Sequence, residues 1–175
     1  MLISTNLKEL YKQTNSNSNS LLMAKEMIVE KSIVIDKHVQ EVYEFLKITR
    51  NQETFSVWNM KDPDKATTAT GTDGTEGFLY AWDSKNKSVG AGSQRITRLV
   101  EGQRIDYAMV FERPMKNTGT SSFVLEAIGA SETRVSWDFR GPTKFPMSLF
   151  LGPIKKMLGK DIVKSLENLK KKLES

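Results

Sequence analysis

Few side chains of this chain could do chemistry, and the residue types that are missing or rare exclude several kinds of site. The 175 residues contain no cysteine and a single histidine, His38. Thiolate nucleophiles, disulfide bonds and zinc sites made of cysteine and histidine are therefore excluded. Any reaction would have to use carboxylates, tyrosines, lysines or backbone groups. Because the sequence places no partner beside His38, that residue is assigned no role.

Two carboxylates flank a proline in the segment Asp62-Pro63-Asp64. Such a pair could bind a cation, or one member could act as an acid and the other as a base. An Asp-Pro-Asp segment also initiates a turn by itself, and no third or fourth oxygen ligand lies nearby in the sequence. We therefore interpret the segment as a solvated turn and predict no metal site.

Tyr80 and Tyr107 are the natural candidates for proton transfer. A phenol has an ordinary pKa of about 10 and is a poor base unless its surroundings shift that pKa. Strand alternation places Tyr80 on one face with Phe78 and Trp82. A buried tyrosine with a charged neighbour among these aromatics would favour an enzyme over a binding protein.

The elements that must position these residues follow from hydrophobic periodicity. β-Branched residues predict a strand over Ile28–Ile35, and Asp36 is predicted to cap the short helix that follows. A second short helical or irregular piece is predicted over Arg50–Val57. Glycines between residues 71 and 102 then mark bends and bulges in the strands that come next.

The later strands alternate so that one face of the predicted sheet is rich in aromatic side chains. One long helix is predicted from about Pro146 to Leu173, with a kink at Gly152-Pro153. Its apolar residues recur every three or four positions, so this stripe must cover the aromatic face. Gly159 lies beside the stripe, where either close packing on a strand or room for a ligand would explain it.

Residues 1–26 differ in composition from the rest of the chain. The segment Asn15–Ser20 alternates asparagine and serine and cannot bury anything. We interpret residues 1–26 as a disordered tail and linker, and residues 27–175 as the folded domain. No signal peptide and no apolar run of membrane-spanning length is recognisable, so a cytoplasmic protein without membrane insertion is predicted.

The net charge of +5 raises the question of an anionic partner. The densest basic run, Lys170-Lys171-Lys172, has Glu167 and Glu174 beside it. Because charge runs on amphipathic helices usually serve solubility, we interpret this run as a solvated helix face and predict no nucleic-acid partner.

The predicted order of elements is a strand, two short helices, six antiparallel strands and a long C-terminal helix. This order resembles that of the helix-grip proteins of the SRPBCC superfamily, also called START-like or polyketide-cyclase-like. The resemblance covers residues 28–173 and departs at Lys37-His38, where the family commonly has prolines. The similar elements are Lys31-Ser32-Ile33-Val34-Ile35-Asp36, Val42-Tyr43, Trp58, Asp62-Pro63, Trp82, Val89-Gly90-Ala91-Gly92, Phe111-Glu112 with Pro114, Thr133-Arg134-Val135 with Trp137, Gly159 with Asp161, and Leu166 with Leu169-Lys170.

The resemblance implies an α+β helix-grip fold, in which a curved antiparallel sheet of about seven strands wraps around a long C-terminal helix and encloses a cavity. Family members include lipid carriers, hormone receptors and aromatic-polyketide cyclases, so the fold carries over better than the function.

Together with the inward aromatics, the resemblance predicts a cavity that binds a hydrophobic or amphipathic small molecule, lipid-like or polyketide-like, without a cofactor. Two alternatives stay open, a cyclase or dehydratase acting on an aromatic or polyketide substrate and a protein-interaction module, and a homodimer is compatible with either. No catalytic residue is assigned. The residues predicted to bind the ligand are Trp58, Tyr80, Trp82, Tyr107, Met109, Phe111, Phe123, Trp137, Phe139 and Met157.

Overall fold

The computed structural model describes residues 26–143 and 150–175. Of the predicted tail, only Glu26 falls within these ranges, and it begins the first strand. The strands are β1 (Glu26–Ile35), β2 (Ala66–Thr70), β3 (Leu79–Asp83), β4 (Ala91–Val100), β5 (Arg104–Arg113), β6 (Asn117–Gly129) and β7 (Glu132–Pro142). The helices are α1 (Val39–Lys47), a 3-10 helix (Thr49–Thr54), α2 (Val57–Met60) and α3 (Leu151–Glu174).

All seven strands form one antiparallel sheet in the order β1-β7-β6-β5-β4-β3-β2. The α+β helix-grip architecture predicted from the sequence is therefore confirmed. The alternation on β5 is also as predicted, because Ile105, Tyr107 and Met109 are buried whereas Val110 is exposed.

The long helix α3 runs parallel to β1. Gly159 near its start packs beside Val29 and Lys31, and Lys170 near its end donates a hydrogen bond of 2.8 Å from Nζ to the carbonyl oxygen of Val34. A Cβ atom on Gly159 would lie 3.2 Å from Cε of Lys31. The structure therefore shows α3 close to β1 at this glycine.

Two local predictions about helix ends are wrong. His38, not Asp36, is the N-cap of α1, and its Nδ1 accepts a hydrogen bond of 3.2 Å from the backbone N–H of Gln40. Asp36 is two residues too early, in the bend that leaves β1. Gly152-Pro153 lies within the first turn of α3, where a proline sacrifices no helical hydrogen bond, so it does not interrupt the helix. Pro146 is outside the described residues.

The two ends of the sheet differ. At one end α1 and the 3-10 helix contact the strand connections. Gln40 Nε2 of α1 donates to Glu101 Oε1 at 3.1 Å, and the carboxylate of Asp73 accepts from the backbone N–H of Thr49 in the 3-10 helix at 2.8 Å. The other end carries the last residues of β3, β5 and β7 and the first residues of α3. We call this second end the open end. Among the helices of the two described ranges, none is long and apolar enough to cross a membrane.

Candidate ligand-binding site

A row of inward positions crosses β3, β4 and β5 at the open end. Trp82 pairs with Gly92, and Gly92 pairs with Phe111. A Cβ atom on Gly92 would lie 2.8 Å from Cζ2 of Trp82, so the indole ring lies over the glycine. The rings of Trp82 and Phe111 meet edge to face, with centroids 6.2 Å apart. Both side chains are half-buried, and they form one aromatic wall.

A second aromatic wall stands at the same end, on the same inward face but nearer the β1 edge of the sheet. The ring centroid of Trp58 in α2 lies 5.5 Å from that of Phe139 on β7 and 5.8 Å from that of Trp137. α2 is held in place by α3, because the backbone N–H of Val57 donates to Oγ of Ser165 at 3.0 Å. Trp58 and Phe139 are half-buried as well.

The structure divides the residues predicted to bind a ligand into three groups. Four are half-buried at the open end, five are buried, and one is largely exposed. The half-buried group is Trp58, Trp82, Phe111 and Phe139; the buried group is Tyr80, Tyr107, Met109, Phe123 and Trp137; Met157 exposes 56% of its surface on the outer side of α3.

The five buried residues lie behind the two aromatic walls, in the core. Phe123 and Trp137 stack with centroids 4.7 Å apart, and Nε1 of Trp137 donates to Oγ of Ser121 at 2.9 Å. Phe123 exposes 0% and Tyr107 1% of their surfaces. Since neither touches a water-sized space, each could contact a ligand only after neighbouring side chains had moved.

A buried ionic cluster adjoins the Trp82 wall, and sequence reasoning missed it. The side chain of Lys65 is 1% exposed, and its Nζ forms an ion pair with Oε2 of Glu53. The same Nζ donates to the carbonyl oxygens of Asn59 at 3.3 Å and Asp62 at 3.4 Å. The hydroxyl of Tyr80 donates to Oε1 of Glu53 at 2.7 Å. Glu53 keeps 28% of its side chain exposed.

Nothing periodic in the sequence points to this cluster. Glu53 comes from the 3-10 helix and Lys65 from the turn after Asp62-Pro63-Asp64, and only the strand position of Tyr80 was predicted to face inward. The predicted turn is present, with the hydroxyl of Ser84 donating to Oδ2 of Asp62. No group of three or more acidic or histidine side chains that could hold a metal ion occurs among the residues described.

A pair of amide side chains adds further buried polar groups beside the ionic cluster. Nε2 of Gln94 on β4 donates to Oε1 of Gln52 in the 3-10 helix at 3.3 Å, and both side chains are buried. Gln94 pairs with Tyr80 on one side and with Met109 on the other. The interior therefore has a polar side, formed by Tyr80 of β3, Gln94 of β4 and the 3-10 helix, in addition to the two aromatic walls.

The two inward tyrosines remain protonated phenols. Burial raises the pKa of Tyr80, and its hydrogen bond to Glu53 raises that pKa further. Burial also raises the pKa of Tyr107. Because both shifts are upward, neither phenol is suited to accept a proton as a base, whereas each can donate a hydrogen bond.

These shifts predict how the protein behaves in alkali. Tyr80 and Tyr107 will stay un-ionised in the folded protein above pH 10, the ordinary pKa of a phenol. The unfolded chain releases these protons there and the folded protein does not, so their contribution to stability is complete below pH 10 and is lost as the pH rises. Phenolate absorbance of native and urea-unfolded protein measures this difference. Simultaneous ionisation of all four tyrosines in the native protein would contradict it.

A protein-family model described as "Polyketide cyclase / dehydrase and lipid transport" matches residues 26–174 of the chain. The match spans every strand and helix described above. No curated protein matches the chain in sequence.

Solved structures with the same fold come from several bacterial proteins. An aromatase/cyclase, ZhuI from Streptomyces sp. R1128, is 11% identical with a TM-score of 0.66, and the match covers 86% of this chain and 94% of that one. DynU16, a putative protein of the dynemicin biosynthetic locus, is 15% identical with a TM-score of 0.60, over 85% of this chain and 47% of that one. The Aha1 dimer from Colwellia psychrerythraea is 14% identical with a TM-score of 0.54, over 82% and 96%. At these identities the likeness shows the fold alone.

Proposed function

Because the chain belongs to the polyketide cyclase / dehydrase and lipid transport family, we propose that its domain binds a hydrophobic or amphipathic small molecule, lipid-like or polyketide-like, between the curved sheet and α3. The observation that supports this best is the pair of half-buried aromatic walls at the open end. Side chains deeper in the domain are packed against one another, whereas Trp58, Trp82, Phe111 and Phe139 keep accessible surface.

The two sides of the interior favour a ligand with both aromatic or aliphatic surface and polar atoms. Indole and phenyl rings offer apolar area to such a ligand, and edge-to-face or offset contacts orient a planar one. The polar side offers the second amide N–H of Gln94, which can donate to a carbonyl group, and the hydroxyl oxygen of Tyr80, which can accept from a ligand hydroxyl because its own hydrogen is donated to Glu53. A wholly aliphatic ligand could not form hydrogen bonds with those buried polar groups, so a ligand with oxygen atoms fits better.

A cyclase or dehydratase is the second candidate, and the ionic cluster is the observation that favours it. Glu53 is a carboxylate held by a buried lysine and a phenol, and 28% of its side chain is accessible. In a closed cavity such a carboxylate could accept a proton from a carbon next to a carbonyl group, while Tyr80 and Lys65 keep it oriented. Turnover of a polyketide-type substrate that Tyr80→Phe abolishes while binding persists would favour this enzyme.

Ligand binding is tested first on protein purified without denaturant. Native mass spectrometry will detect any bound molecule, and a panel of lipids, sterols, flavonoids and polyketides will raise the melting temperature if one of them fits the cavity. We expect Trp82→Ala to weaken binding of a stabilising compound by at least about fivefold, because an aromatic contact contributes about 1 kcal/mol beyond its buried area.

The matched control is Val110→Ala, since Val110 lies on β5 near Phe111 but points to the outer face and is 42% exposed. It should leave the affinity unchanged. The absence of any bound mass and of any thermal shift, or an equal loss of affinity in the control variant, would overturn the proposal.

A further inference from the structure

Almost all of the net charge of the chain resides on one helix. The sequence of α3 contains seven lysines and three acidic residues, a net charge of +4 out of +5 for the whole chain. A single helix with this imbalance creates a local positive potential.

The lysines of α3 differ in whether they form ion pairs. Lys164 pairs with Glu167, and Lys170 pairs with Glu174. Lys155, Lys156 and Lys160 in the first half of α3 are exposed, and none of them has a hydrogen bond or an ion pair to any residue in the described ranges. Their ammonium groups are therefore available to an external anion.

Exposed apolar side chains lie along the same half of the helix. Phe150 is 59% and Met157 56% exposed. Phe150 and Met157 are seven residues apart, which is close to two helical turns, so they share a side of α3 at a separation of about 10 Å.

Met60 of α2 lies further along α3, where its Sδ is 3.7 Å from Nδ2 of Asn168, so it is not part of this row. At about 100° per residue, Lys155 points about 160° away from Met157, whereas Lys156 and Lys160 lie within about 100° of it. We call the four residues Phe150, Lys156, Met157 and Lys160 the α3 patch.

The patch is at the open end of the domain. Because α3 runs parallel to β1, its first turns lie beside the first residues of β1 and the last residues of β7.

We propose that the α3 patch docks the domain on an anionic lipid bilayer, with Phe150 and Met157 inserted at the interface and the unpaired Lys156 and Lys160 against phosphate headgroups. Basic and apolar side chains combined on an amphipathic helix are the chemistry that an anionic bilayer surface binds. A nucleic acid would pair with the lysines but would offer no continuous apolar phase to the two large side chains. The contact is interfacial and involves no membrane-spanning helix. It does not depend on ligand binding in the interior, so either proposal can fail while the other holds.

The test uses the full chain and vesicles of phosphatidylcholine with or without phosphatidylglycerol. The protein will cosediment with the anionic vesicles only, and salt will weaken the binding. Lys156→Gln combined with Lys160→Gln will reduce binding by about fivefold for each lysine removed. The control pair, Lys171→Gln with Lys172→Gln, removes the same charge from the other end of α3 and should leave binding within about twofold of the wild-type value.

A second measurement reports the apolar contacts and uses the absence of cysteine from the chain. Met157→Cys, labelled with an environment-sensitive fluorophore, will shift its emission to the blue on anionic vesicles, whereas labelled Val110→Cys on the outer face of the sheet will not. Equal losses in the two lysine pairs, an unchanged emission at position 157, or tighter binding to duplex DNA that excludes vesicles would each overturn the proposal.

Discussion

Phe123→Ala will lower the free energy of unfolding by about 3–5 kcal/mol, the usual cost of truncating a buried phenylalanine. Phe123 exposes 0% of its surface, stacks on Trp137 and meets the rings of Phe55 and Tyr107 edge to face. The cavity left by the ring would remove these contacts together, and the surrounding strands can relax only in part. Urea denaturation followed by tryptophan fluorescence measures the loss.

Two variants make this result specific to the core. Val110→Ala on the outer face should change the stability by no more than about 0.5 kcal/mol. Trp82→Ala should cost less than Phe123→Ala because the indole is only half-buried, although it forms the wall that we propose binds the ligand. If Phe123→Ala left stability within about 1 kcal/mol of wild type and changed only ligand affinity, the residue would line the cavity and not the core.

Glu53→Gln will destabilise the protein by about 2–4 kcal/mol, because it leaves the ammonium group of Lys65 buried without a counter-charge. The expected loss is below that for a fully enclosed pair, since the carboxylate is 28% exposed and the lysine 1%. The same difference in exposure predicts an asymmetry. Lys65→Met should cost less than Glu53→Gln, because the remaining carboxylate reaches solvent and still accepts the hydrogen bond from Tyr80.

Denaturant titrations of both single variants and of the double variant check this prediction. The double variant should be more stable than the sum of the two single losses implies, because neither charge is then left alone. Glu41→Gln, which breaks the exposed pair of Lys37 and Glu41, is the control and should cost no more than about 0.5 kcal/mol. A loss of that small size in Glu53→Gln would contradict the buried ion pair.

Much of the fold was predictable because it depends on local pattern. Alternation along β5 and β7 identified the inward faces, and the spacing of apolar residues in α3 identified the helix that covers them. Both patterns reflect the periods of strand and helix, two and about 3.6 residues, which each segment carries in its own sequence. The helix caps were less predictable, since Asp36 and His38 are both plausible caps and only the length of the bend after β1 selects His38.

The candidate site was predictable only in part. Sequence alternation placed aromatic side chains inward, but it could not separate the half-buried Trp82 and Phe139 from the fully buried Phe123 and Trp137. That distinction depends on where each row lies between the closed and open ends of the sheet. It is set by strand register and by the position of α2.

The elements, the inward faces and the family of this protein could be predicted from the sequence, because hydrophobic period, glycine placement and motif order are properties of neighbouring residues. The folded chain was needed to show that Glu53, Lys65 and Tyr80 meet, that Trp58 and Trp82 stand at the same end, and that Met157 faces outward beside unpaired lysines. Burial and charge pairing arise between segments distant in the chain, and sheet register and helix docking place each of these side chains.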